Sequence, residues 1–214
     1  MVAGREAKVS AVMTCGRYEA VFARSMIEAA LREVGIGLMY SQGVFYGQCM
    51  QKMLSDVVDI GADIVLTIDG DSIFKAEHVR RLLNLIVNDD EIDALASLQV
   101  RRGIKDALGF HKGKTSIEWS GSPVQLTSAH FGLTALKVDK LKTVKKPWFF
   151  AQPDHDGDWT KDRIDDDIWF WKQWEEAGNT LFLDPGCRIG HLEEMVATFD
   201  DNLNPVHVYP GDWT

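Results

Sequence analysis

A chain of 214 residues, 45% of them apolar and 26% charged, is long enough to bury one good core, so one domain of ordinary globular composition is expected. Its net charge of −9 argues against a binder that works by neutralising nucleic-acid phosphates, while a small anion held by local positive charge or by a metal stays compatible with it. The scattered cysteines Cys15, Cys49 and Cys187 outline neither a zinc knuckle nor a disulfide framework; no apolar run nears the ~20 residues that span a bilayer, and residues 1–8 lack a signal-peptide core, so a cytoplasmic protein is expected.

In chain order, Lys8 to Cys15 reads as a first buried strand ended by Gly16. Tyr18 to Val34 carries apolar residues at helical spacing (Ala20, Ala23, Ile27, Ala30, Leu31, Val34), and Gly35 and Gly37 punctuate its end. Ile36 to Tyr40 predicts a short strand, and Phe45 to Asp59 a second helix with Met50, Met53, Leu54, Val57 and Val58 inward. Ala62 to Ile68 then forms an apolar run of the kind that is buried on both faces of a sheet, and it ends in Asp69-Gly70-Asp71. Strand, helix, strand, helix, strand predicts crossover units and a layered α/β fold.

Lys75 to Val87 reads as a third helix and Asp93 to Val100 as a strand ending in Arg101-Arg102-Gly103. From there to Ser122 the pattern weakens into short, hairpin-like pieces. His130 to Leu136 predicts a loop entering a strand, and Val138 to Val144 one or two helical turns before Pro147. Residues 151–163 are acidic and loop-like, Asp165 to Ala177 is a helix stopped by Gly178, and Thr180 to Asp184 is a short strand. Cys187 to Leu192 leads to His191, and no period is visible beyond Glu193.

The carboxylates that matter are those at element ends. In an open α/β sheet the ligand crevice lies beyond the carboxyl ends of the strands, so Asp69 and Asp71 are expected to face a ligand, most simply a hard cation with its phosphate. A turn accounts for Asp-Gly alone, but not for a second acid behind a strongly apolar strand. Asp165, Asp166 and Asp167 open a helix, where one acid serves as a cap. Three exceed that need, and their mutual repulsion is expected to raise at least one pKa, as suits a general base. Asp154-His155-Asp156-Gly157-Asp158 begins like a calcium loop, but Trp159 stands where the turn needs glycine and Asp165 where a glutamate is preferred; a mobile acidic loop is expected instead. Trp148, Phe149 and Phe150 suit a core or a sugar ring equally.

Together and in this order these pieces resemble a glycosyltransferase of the GT-A fold, close to the compact family-2-like enzymes, over roughly Val9 to Leu192. Asp69-Gly70-Asp71 looks like the family's Asp-any-Asp signature, His130-Phe131-Gly132-Leu133 like its acceptor-side loop, Asp166-Asp167 like its acidic pair at a helix start, and His191 like its C-terminal metal histidine. The family's usual Glu-Asp is here Asp-Asp, and its first strand's Pro-Thr is here Met13-Thr14-Cys15. The resemblance implies a three-layer α/β sandwich with a mostly parallel central sheet, one transferase domain over 1–192 and a tail over 193–214. It implies a metal-dependent enzyme that moves a sugar from a nucleoside-diphosphate donor to an acceptor hydroxyl with inversion. Asp71 and His191 would bind Mn²⁺ or Mg²⁺, with Asp69 at the ribose or close to the metal; Thr14 and Arg17 would line the nucleotide pocket. Asp167, or Asp166 in its stead, would be the base, and the loop through Asp154 to Arg163 would close over the donor.

Two other classes share parts of this pattern. A haloacid-dehalogenase-like phosphohydrolase also carries Asp-any-Asp after a buried strand, but on its first strand and followed by Thr or Val where this chain has Ile73. A non-catalytic nucleotide- or sugar-binding module would retain the fold without turnover.

Overall fold

The computed structural model describes residues 7–15, 21–43, 45–101, 109–110, 121–160 and 162–209. In chain order the elements are β1 (Val9–Cys15), α1 (Val21–Glu33), β2 (Leu38–Gln42), α2 (Tyr46–Asp59), β3 (Ile64–Asp69), β4 (Ser72–Ile73), α3 (Ala76–Asn88) and β5 (Ala94–Leu98). They continue with β6 (Gly109–Phe110), β7 (Val124–Gln125), β8 (Ser128–Ala129), β9 (Leu133–Lys137), α4 (Val138–Leu141) and α5 (Asp166–Glu176). The last are β10 (Leu181–Arg188), β11 (Gly190–His191), β12 (Val196–Phe199) and β13 (Pro205–Val208).

The central sheet has seven strands in the order β2-β1-β3-β9-β5-β10-β7. β2, β1, β3, β5 and β10 run in one direction, while β9 lies antiparallel between β3 and β5 and β7 antiparallel beside β10. The sheet is thus mixed and largely parallel, and β9 separates its two parallel blocks.

Strand alternation explains why the apolar runs carry almost no polar side chains. Ala11 and Met13 of β1, Leu66 and Ile68 of β3, Leu95 of β5 and Ala135 of β9 face one way, against Ile27 and Leu31 of α1 and Val79, Leu82 and Ile86 of α3. Their neighbours Val12, Val65, Ala94, Ala96 and Leu136 face the other way, against Met50, Met53, Leu54 and Val57 of α2 and Phe170, Trp171 and Trp174 of α5. Both faces are therefore covered, and the architecture is the three-layer α/β sandwich expected.

Element limits move by a few residues, and three expectations change. β10 does not stop at Asp184 but continues to Arg188, because an irregularity in its pairing with β5 between Asp184 and Arg188 absorbs Pro185-Gly186 without ending the strand. The unpatterned tail contains an antiparallel hairpin, β12–β13, closed through Asp200, whose carboxylate accepts from the backbone N–H groups of Asn202 and Asn204, at 2.9 Å each. Its apolar residues Met195, Phe199 and Leu203 are exposed, so no buried stripe announces it. Within the aromatic run Trp148 and Phe149 are core and Phe150 is exposed against Trp169. Segment 154–160 holds no helix or strand, as expected. No helix among the described residues is long and apolar enough to cross a membrane.

Candidate functional site

The carboxyl ends of β3 and β5, the start of α2, the head of α5 and the β11 strand enclose one cleft of about 550 Å³. It is lined by Tyr46, Asp69, Arg101, His130, Phe131, Ala151, Asp165, Asp166, Asp167 and His191. Residues as far apart in sequence as Tyr46 and His191 therefore face the same space.

Asp69 ends β3, with its N–H on the carbonyl of Gly132, 3.3 Å away, and with Thr14 of β1 as its parallel neighbour. Beyond Gly70 the chain turns into β4, which pairs antiparallel with β11, and Leu192 N–H donates to the carbonyl of Asp71 at 2.8 Å. This ribbon brings His191 Nε2 to 3.3 Å from Asp71 Oδ2. The other ring nitrogen, Nδ1, lies 2.9 Å from the carbonyl of Val100, which can only accept, so Nδ1 carries the proton. In the neutral imidazole Nε2 then presents a lone pair to a carboxylate oxygen. Two lone-pair donors at that distance suit a shared hard cation, since neighbouring ligands about 2.1 Å from one ion sit about 3 Å apart. Among the described residues no group of three or more His, Cys, Asp or Glu side chains is placed to hold a metal ion by itself. A cation here would need further ligands from what it binds.

The opposite wall is the head of α5. Asp165 occupies the N-cap position without a side-chain cap bond; Arg163 holds its carboxylate instead, Nε to Oδ1 at 2.7 Å. The capping role open to the acid run is therefore not taken by the Asp165 side chain. Asp166 lies against the first turn of α2, where a Cβ on Gly47 would come within 2.8 Å of its Oδ2 and 2.9 Å of Phe149 Cβ. Asp167 is half-buried; burial first, then the charges of Asp165 and Asp166, raise its pKa above the ordinary carboxylate value, against an opposing bond from Ile168 N–H. Helix α5 ends at Glu176 with Ala177 as its C-cap, and Gly178 after it takes a φ of 80°, which suits a residue without a Cβ.

Tyr46 and Arg101 were not singled out for this site by the sequence, and His130 entered only as the first residue of the expected acceptor-side loop. Tyr46 stands at the start of α2. Burial, then Asp69, Asp167 and Asp166, push its phenol well above the usual value, so it stays a neutral hydrogen-bond donor among acids. Arg101 stands just past a strand's carboxyl end, the signal that marked the acids. His130 is buried and its pKa is lowered to about 4, chiefly by burial; Nδ1 accepts from Gly132 N–H at 2.9 Å and Nε2 donates to the carbonyl of Ser97 at 2.8 Å. It is a satisfied neutral histidine. Of the residues expected at the nucleotide, Thr14 lies on β1 beside Asp69, and Arg17 lies outside the described residues.

The described architecture is that of the GT-A glycosyltransferases. A197 from STIV is similar over 94% of both chains (TM-score 0.62, 12% identity). GalNAc-T7, solved with UDP, GalNAc and Mn²⁺, is similar over 86% of this chain and 44% of that one (0.58, 9%). The mannosyltransferase PcManGT from Pyrobaculum calidifontis, in complex with GDP-Man and Mn²⁺, is similar over 88% of this chain and 57% of that one (0.53, 10%). No family model matches the sequence, and no curated protein does. At these identities the likeness shows the fold, and the chain spans less than two thirds of the two named transferases.

Proposed function

We propose that the chain is a metal-dependent glycosyltransferase that moves a sugar from a nucleoside-diphosphate donor to an acceptor hydroxyl. The observation that carries this is the meeting of Asp69, His191 and the acidic head of α5 around one cleft, with Asp71 3.3 Å from His191. Asp71 and His191 would hold Mn²⁺ or Mg²⁺, whose charge offsets that building on the leaving diphosphate. Asp69, beside Thr14 at the end of β3, would meet the ribose or a further ligand of the cation. Arg17 belongs to the same expected nucleotide pocket. Arg101 adds a cationic side chain for the phosphates in an otherwise acidic cleft.

Asp167 accepts the acceptor's hydroxyl proton as that oxygen bonds to the anomeric carbon and the bond from that carbon to the diphosphate breaks. One displacement of this kind inverts the anomeric centre. The raised pKa of Asp167 favours it over Asp166 as the base. Tyr46, kept neutral, is available to donate to a donor or acceptor oxygen. Two features weigh against the phosphohydrolase alternative. Asp69 ends the third strand in chain order, not the first, and the fold likeness is to sugar transferases. The acceptor would be a glycan, lipid or small molecule with a free hydroxyl, and a cytoplasmic setting is part of the same proposal.

Calorimetry with UDP, GDP and CDP, with and without Mn²⁺, tests it. Mn²⁺-dependent binding of one nucleotide is expected, weakened about 100-fold by Asp71→Ala. Metal-independent binding, or none with any nucleotide, would remove the assignment. A non-catalytic module would bind in the same way but transfer nothing when offered donor and acceptor.

A further inference from the structure

The ribbon that carries Asp71 and His191 is too short to hold itself. β4 and β11 have two residues each, with Gly190 opposite Ile73 and His191 opposite Ser72. Its spacing is set from outside, by the chain running out of β5. Ile189 N–H donates to the carbonyl of Leu98 at 2.9 Å, the Gln99 side-chain amide reaches the carbonyl of Gly190 at 3.2 Å, and His191 Nδ1 donates to the carbonyl of Val100 at 2.9 Å. Successive residues 98, 99 and 100 thus grip successive residues 189, 190 and 191.

Gln99 differs from its neighbours in two ways. Its grip is made by a side chain, and the same Nε2 also lies 3.3 Å from Ser72 Oγ, so it touches both strands of the ribbon. It is 2% exposed, and its Oε1 packs where Gly132 has no side chain; a Cβ there would sit 2.5 Å from that oxygen and 2.9 Å from Ser72 Oγ. The neutral His130, fixed between Gly132 and Ser97, closes the far side. A rigid, water-shielded amide is therefore clamped between the residue after Asp71 and the residue before His191.

We propose that Gln99 is the positioning residue of the Asp71–His191 pair: its amide fixes how far apart the two side chains stand. The proposal rests on the metal-dependent reading of the cleft. Without the amide, Ser72 and Gly190 are joined by ribbon pairing alone, and the pair loses its set spacing. Removing such a support from a metal ligand costs about 10- to 100-fold in affinity.

The test is Mn²⁺ binding followed by electron paramagnetic resonance, with UDP or GDP present, in wild type and Gln99→Met, which keeps the side chain's length without its amide. Wild type is expected to bind Mn²⁺ and to show nitrogen spin-echo modulation from His191. Gln99→Met is expected to bind about 10- to 100-fold more weakly, with that modulation reduced. Val57→Ala, a core truncation under α2, controls for general destabilisation and is expected to lower the melting temperature while leaving Mn²⁺ affinity within about twofold. Should Gln99→Met not fold, Ser72→Ala removes one of the two contacts and is expected to weaken Mn²⁺ about three- to tenfold. Wild-type affinity and modulation in Gln99→Met, or in Ser72→Ala where that variant stands in, would overturn the role of Gln99 alone. A wild-type chain that binds no Mn²⁺ with any nucleotide would overturn the metal reading and this proposal with it.

Discussion

His191, with Asp71 3.3 Å from its Nε2, stands on one wall of the cleft and Asp166 and Asp167 on the other, and the two walls are held by different forces. The first is a backbone construction. β3 lies between β1 and β9, β4 pairs with β11, and the grips from residues 98 and 100 end on main-chain carbonyls. The second is a side-chain construction. The head of α5 is fixed by Phe170 against Phe149 and Phe131, with centroids 5.1 and 5.2 Å apart, and by Trp171 stacked on Phe131 at 5.2 Å. Backbone ladders tolerate substitution at most positions, whereas an aromatic cluster loses contacts with each ring removed. The cation wall should therefore respond to changes in its ligands and in Gln99, and the base wall to packing changes well away from the carboxylates.

The largest effect expected on this contrast is chemical. Asp167→Asn should lower transfer by about 10²- to 10⁴-fold while Mn²⁺-dependent nucleotide binding stays as in wild type. Unchanged turnover would move the base to Asp166. A stability measurement accompanies it. Folding raises the pKa of Asp167, so the carboxyl favours the folded state while protonated and loses that contribution as pH rises through its folded value. Asp167→Asn should then raise the melting temperature at neutral pH, and the gain should vanish below the ordinary carboxylate range, where the acid is protonated in both states.

Next comes Phe170→Ala, which removes a fully buried ring from the centre of the cluster and should cost about 3–5 kcal/mol in denaturant unfolding. In the folded fraction it should lower transfer more than Mn²⁺ binding, because it loosens only the base wall. Equal losses in both would mean that the walls are not independently built. Gly47→Ala follows, at about 1–3 kcal/mol, since the added methyl meets both Asp166 and Phe149. Its mark on activity should again fall on transfer, with nucleotide affinity kept.

How far the fold was legible follows the same division. β1, β3 and β5 are apolar on both faces, so their runs stand out, and the acids that end β3 stand out with them. The antiparallel insertion of β9 between β3 and β5 is not readable from its own residues, because Leu133 to Leu136 would look the same running either way. β10 was read too short because Pro185-Gly186 looks like a stop, while the ladder to β5 resumes at Arg188. In and beside the cleft, Asp69, Asp166, Asp167, His191 and its neighbour Asp71 are visible as acids and a histidine at element ends. Tyr46 is not, since its electrostatic surroundings come from residues over 20 and over 110 positions away, and neither is Gln99, whose importance lies in contacts with residues 72 and 190.

The smallest effect concerns the base wall's third acid. Asp165 sits at the N-cap of α5, half-exposed and paired with Arg163, and its charge is among the causes that raise the pKa of Asp167. Asp165→Asn removes that charge and also releases the Arg163 cation from its partner. Both changes favour ionised Asp167, so its pKa should fall. Asp167 would then be deprotonated over a wider range, and the acid limb of the transfer-rate profile should move to lower pH. The rate on the plateau above that limb should change little, because Asp167 is ionised there in either protein and only its basicity drops. Thermal stability should hardly move, since an exposed pair of this kind contributes little. An acid limb that stays put or moves upward would mean that the titrating base is not Asp167, and Asp166, pressed against Gly47, would take its place.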